Sequence, residues 1–138
     1  VRGLALAALL CLTANSAFAA CYPESAAAAE RGAREAKTWR TLYEVYQRFR
    51  ICDDGAVARN LSTSVAALLV TQWTSITGVT RLAARTPKFR AFVLRHIDSS
   101  MSAAQAQLVL RNAAANCPHG QRRLCNAIAA RVRQAAMH

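Results

Sequence analysis

The sequence predicts an all-α domain, a compact bundle of about five short helices stapled by two disulfides. Three observations carry that expectation. Apolar residues recur at helical spacing from Trp39 to Val132, and no alternating run is long enough for a useful strand. Only 5 glycines and 3 prolines punctuate 138 residues, so the loops are short. Beyond residue 19 the cysteines are Cys21, Cys52, Cys117 and Cys125, an even set suited to disulfide pairing.

The chain opens with the three parts of a secretory signal peptide: Arg2, an apolar run from Leu4 to Leu12, and Ala17-Phe18-Ala19 after a polar stretch. The run is too short to cross a bilayer, which needs ~20 apolar residues. Residues 1–19 are therefore read as a cleaved signal, 20–37 as a lead-in segment and 38–138 as the helical domain. The lead-in is rich in Ala, Glu and Arg, with a favourable Glu30–Arg34 pair but no large apolar side chain. It reads as a solvated helix or an arm, weakened by Gly32.

The first core helix is expected near 36–51, with Trp39, Leu42, Tyr43, Tyr46 and Phe49 on one face and Glu44–Arg48 paired on the other. Asp53-Asp54-Gly55 marks a turn. A second helix is expected from an N-cap at Ser62 or Thr63, with Val65, Leu68, Leu69, Trp73 and Ile76 inward and a stop at Gly78. A short helical piece follows over 79–85. Thr86-Pro87 signals the next start, ahead of Phe89, Phe92, Val93, His96 and Ile97. Ser102 with Gln105 reads as a capping box before Ala106, Val109, Leu110 and Ala113. A last helix carries Leu124, Cys125, Ile128 and Val132.

Cysteine pairing stays open among three connectivities. Cys117 and Cys125 in one continuous helix would stand ~12 Å apart, too far for a bridge. A local pair requires Pro118-His119-Gly120 to fold back; otherwise each joins Cys21 or Cys52. Anchoring of a lipid through Cys21 is the rival reading. It is disfavoured because Phe18 fits a lipoprotein signal poorly and because three thiols would remain.

No catalytic motif is present: G-x-S-x-G, H-E-x-x-H and the phosphate-binding loop are absent, and Asp53-Asp54-Gly55 is only a fragment of a calcium loop. Asp53, Asp54 and Asp98 read as helix-boundary caps, and His96 as a core or boundary histidine. Cys117, His119 and Cys125 match no zinc-site spacing. No catalytic residue, cofactor or metal is expected, and the protein is read as a non-enzyme. An enzyme of unrecognised type, working through Asp53, Asp54 or His96, is the third-ranked alternative.

The net charge of +11 comes almost wholly from arginine, which implies attraction to an acidic protein or an anionic envelope polymer. The aromatics near Arg40 and Arg48 read as core, so no nucleic-acid partner is expected. Candidate partner-binding residues are Arg81, Arg85, Lys88, Arg122, Arg123 and Arg131. No later apolar run has membrane length, so the protein is not expected to span a membrane. Export signal, the Tyr46-to-Cys52 stretch ending an early helix, and the cysteine pair near the C-terminus together resemble small periplasmic immunity proteins that neutralise cell-wall amidase toxins of type VI secretion. That resemblance implies a periplasmic, toxin-occluding inhibitor and transfers no individual contact residue. The expected function is thus an exported non-catalytic binding protein, with a polyanion-binding envelope module as the second reading.

Overall fold

Helical periodicity resolves into seven α-helices in the computed structural model, which describes residues 20–138. The signal-peptide reading falls on residues 1–19, outside the described residues. The helices are α1 (Pro23–Glu35), α2 (Trp39–Phe49), α3 (Gly55–Thr71), α4 (Thr77–Arg85), α5 (Lys88–Arg95), α6 (Ala103–Ala115) and α7 (Arg122–Ala135). Short 3-10 turns at Arg50–Cys52 and Trp73–Ser75 join the first elements. Among the described residues there is no strand, and no helix is long and apolar enough to cross a membrane.

The lead-in segment is a helix with one face buried and the other exposed, rather than a wholly solvated one. Helix α1 packs on α3 and α2, with Ala29 and Ala33 fully buried. Small side chains are what allow this contact. A Cβ at Gly32 would stand 3.0 Å from a Val45 methyl, so the glycine sets how closely α1 and α2 approach. Ser64 of α3 donates to the Ala33 carbonyl, which also accepts from the Ala36 amide, and so ties α3 to the end of α1. Absence of large apolar residues in 22–37 therefore marks a tight helix contact rather than an exposed arm.

Helix α3 also departs from expectation. It starts at Gly55, because the Asp54 carboxylate accepts from the Gly55 amide at 2.7 Å, and it ends at Thr71 rather than Gly78. Ser62 lies inside it and buried, with its hydroxyl committed elsewhere. Trp73 and Ile76 remain inward on the following turn, while Gly78 belongs to α4. The Ser102–Gln105 capping box forms as expected. Thr86 does not cap α5 through its side chain; that hydroxyl bonds Tyr43 Oη at 2.6 Å and ties the α4–α5 corner to α2.

The expected faces of α2 and α5 meet. Tyr43 stands edge-on to Phe89 at 4.9 Å, Tyr46 lies 4.8 Å from Phe92, and Phe92 lies 4.6 Å from the His96 ring. Edge-to-face and tilted packing of this kind stabilises beyond simple burial. The Glu30–Arg34 pair forms at 3.5 Å, but Glu44 pairs with Arg40 at 3.4 Å instead of Arg48. Arg48 lies over the Phe49 ring.

Two disulfides close the bundle, Cys21–Cys52 and Cys117–Cys125. Such bonds suit an oxidising compartment, and the first one uses the sulfur that lipidation at Cys21 would require. In the second, the chain folds back at Pro118-His119-Gly120 and the α-carbons stand 6.1 Å apart. Gly120 adopts φ +75, and Gln121 N–H donates to the Pro118 carbonyl. A Cβ would be strained at that φ.

Loop length ranks the two bridges. Cys21–Cys52 closes a separation of 31 residues and Cys117–Cys125 one of 8. The chain-entropy relation gives about 3.7 kcal/mol for the first and about 2.5 kcal/mol for the second. Urea unfolding of the two double cysteine-to-alanine variants is expected to show the larger loss for Cys21/Cys52. The reverse order would show that strain or residual unfolded structure dominates.

Candidate functional site

Two arrangements of polar residues stand out: a buried network at the α3–α5 contact and an open groove between α2 and α4. The network brings together three residues weighed from sequence, Asp53, His96 and Asp98, and one taken only for a cap, Ser62. Ser62 Oγ donates to Asp98 Oδ2 at 2.6 Å and lies 3.0 Å from His96 Nδ1. His96 Nε2 lies 3.1 Å from Asp53 Oδ2, which also accepts from Arg95. Both ring nitrogens of His96 therefore lie within hydrogen-bond distance of an oxygen, Ser62 Oγ on one side and Asp53 Oδ2 on the other.

Ser62, His96 and Asp53 thus stand in line as hydroxyl, imidazole and carboxylate. The chemistry of a nucleophilic triad needs the serine proton to pass to the imidazole. Here that proton is held by Asp98. Ser62 and His96 are 2 % and 4 % exposed, so a substrate atom reaches neither without the helices parting. The network's evident work is to tie the turn after Cys52 to α3 and α5. Asp54 lies outside it and caps α3.

The carboxyl groups respond to this setting. Burial by itself pushes Asp53 up. The hydrogen bond and charge of His96, then those of Arg95, outweigh burial and hold it below 3.8. Asp98 behaves alike: burial raises it, while bonds from Ser100 and Ser62 and the His96 charge bring it below 3.8. Asp53 Oδ1 is buried without a hydrogen-bond partner, so all of that residue's pairing runs through one oxygen.

The groove is open and lies between α2 and α4. Its floor is Trp39, Gly78 and Leu82; its rim carries Arg40, Arg81 and Arg85; Thr38, Gln72 and Ser75 close one end. The volume is about 470 Å³, within the ~300–1,000 Å³ of ligand clefts. A second hollow continues past Arg40, Leu82 and Arg85 to Tyr43, Glu44, Gln47 and Thr86. Trp39 Nε1 donates to the Gln72 carbonyl at 3.2 Å and Tyr43 bonds Thr86, which ties α2 to the end of α3 and to the α4–α5 corner.

The six candidates, five arginines and one lysine, separate by what their side chains touch. Arg81 and Arg85 are exposed, line the groove and form no ion pair among the described residues. Lys88 and Arg123 are exposed elsewhere. Arg131 donates to the Leu94 carbonyl at 3.1 Å and the Ile97 carbonyl at 3.4 Å, so it caps the end of α5. Arg122 reaches the Ala113 carbonyl at the end of α6. Both therefore have structural bonds within the fold. Sequence reasoning missed Arg40 and Trp39 as groove residues; their place follows from the α2–α4 contact, which no local pattern announces.

Asp53 and Asp98 have lowered folded values, so the stability they contribute is fully present above about pH 5 and is lost as pH falls through those values. Denaturation as a function of pH is expected to show falling stability below about pH 4. Asp53→Ala is expected to cost about 3 kcal/mol at neutral pH and to flatten that acid limb. An unchanged acid limb in the variant would contradict the pairing. No family model matches the chain, and neither a curated protein nor a solved structure matches it.

Proposed function

We propose that the chain is an exported, non-catalytic binding protein of the periplasm, of inhibitor or immunity type, that occludes an acidic partner protein through the groove between α2 and α4. One observation carries this reading. Arg81 and Arg85 present two exposed guanidinium groups over an apolar floor, with no carboxylate of the described residues bound to either. Unspent cations beside apolar surface suit a partner that brings both carboxylates and apolar side chains. A uniform anionic envelope polymer would leave the floor of Trp39 and Leu82 without a partner. The excess positive charge of the whole chain would speed encounter with an acidic protein and weaken with salt.

The test compares two charge reversals of equal size. Arg81→Glu/Arg85→Glu alters the groove, while Arg111→Glu/Arg133→Glu alters exposed residues on α6 and α7. Immobilised protein is expected to retain an acidic protein from periplasmic extract at low salt. The groove variant is expected to lose about tenfold in affinity, from two exposed ion pairs at ~0.7 kcal/mol each, and the control variant much less. Equal losses would assign the attraction to net charge alone. Retention of anionic polymer without protein would favour the envelope-module reading.

A further inference from the structure

Spacing and chemistry in the groove describe its occupant more closely, on the basis of the partner-binding reading above. Arg81 and Arg85 stand one helical turn apart on α4, ~6 Å along the axis. Alternate residues of an extended chain repeat at ~6.7 Å. Two carboxylates at positions i and i+2 of an extended segment can therefore meet the two guanidinium groups. The residue between them points the opposite way, away from α4 and toward Trp39 of α2 across the groove. We infer that the groove receives an extended acidic–apolar–acidic peptide segment of the partner protein, with one large apolar side chain seated between two carboxylates.

Three further features fit this occupant. The ends of the groove are polar, with Gln72 and Ser75 at one and Gln47 and Thr86 at the continuation, so a peptide backbone finds hydrogen-bonding groups there. An acyl chain would meet those same polar ends at a loss. Glu44, in the hollow that continues the groove, pairs with Arg40 at 3.4 Å. That carboxylate repels an unbroken run of phosphates but leaves room for discrete acidic side chains at Arg81 and Arg85. Gly78 keeps the floor open: a Cβ there would lie 3.7 Å from Trp39 Cβ, an ordinary contact, so a larger side chain fills the groove without forcing the backbone.

The two tryptophans provide the readout. Trp39 Nε1 donates to Gln72 at the groove floor, and Trp73 Nε1 donates to Asn116 away from it. The oxidised, ¹⁵N-labelled protein is titrated with the capped peptide Ser-Gly-Glu-Phe-Glu-Gly-Ser. The Trp39 indole N–H resonance is expected to move while that of Trp73 stays. Glutamine in place of both glutamates, or glycine in place of the phenylalanine, is expected to weaken binding roughly tenfold. Gly78→Leu is expected to abolish the phenylalanine's contribution; the peptide variants test the same point without altering the fold. A silent Trp39, a phenylalanine that can be removed without loss, or inorganic polyphosphate shifting Trp39 as strongly as the peptide would each overturn the inference. If the charge-reversal capture succeeds while Trp39 stays silent, this segment is wrong and the partner reading stands. If the peptide binds and capture fails, the groove's ligand class stands and the partner reading falls.

Discussion

Asp53 is the joint on which the packing of this domain turns. It follows Cys52, whose disulfide to Cys21 fixes the start of α1, and its carboxylate holds Arg95 and His96 at the end of α5. His96 in turn meets Ser62 inside α3, and Ser62 donates to Asp98 beyond α5. One covalent bond and one chain of polar contacts thereby connect the first, third and fifth helices at a single corner. The Asp53 side chain is 6 % exposed, so its charge is shielded from water and its pairing is felt strongly. The aromatic stack of α2 on α5 sits directly against this corner through Phe92 and His96. Correct seating of α5 then places α4 against α2, where the groove forms.

The arginine excess divides between structural and solvent-facing roles. Arg131 and Arg122 donate to carbonyl groups at the ends of α5 and α6, where unsatisfied acceptors and the helix dipole favour a cation. Arg90 donates instead to the Arg123 carbonyl in the first turn of α7, which ties α5 to α7. Arg81 and Arg85 have no such duties and border an apolar floor. Net charge alone cannot separate these groups, because it records how many cations there are and nothing of where their donors are spent. Side-chain bonding does separate them, and it singles out the α4 pair.

Much of the fold was legible in local pattern. The inward faces of α2, α5, α6 and α7 follow from apolar spacing, and Ser102–Gln105 capped α6 as its residue types required. Helix α1 was misjudged because alanine and glycine bury by close backbone approach, a signal that resembles solvated helix until its neighbour is known. Ser62 looked like a cap because serine usually is one; its role depends on His96 and Asp98, more than thirty residues away. The pairing of Cys117 with Cys125 depended on a left-handed Gly120, which sequence allowed without requiring. The groove was least legible, since Trp39 and Arg40 meet Arg81 and Arg85 only after the bundle closes.

On the reading proposed above, the α2–α4 groove of this disulfide-locked domain is the face that meets a partner protein. Photo-crosslinking in intact cells tests it most directly. A photoreactive residue at Ser75, exposed at the groove's end, is compared with one at Ala114, exposed on α6. A covalent adduct with an acidic protein is expected from Ser75 and none from Ala114. An adduct from Ala114 alone, or equal adducts from both, would contradict that reading.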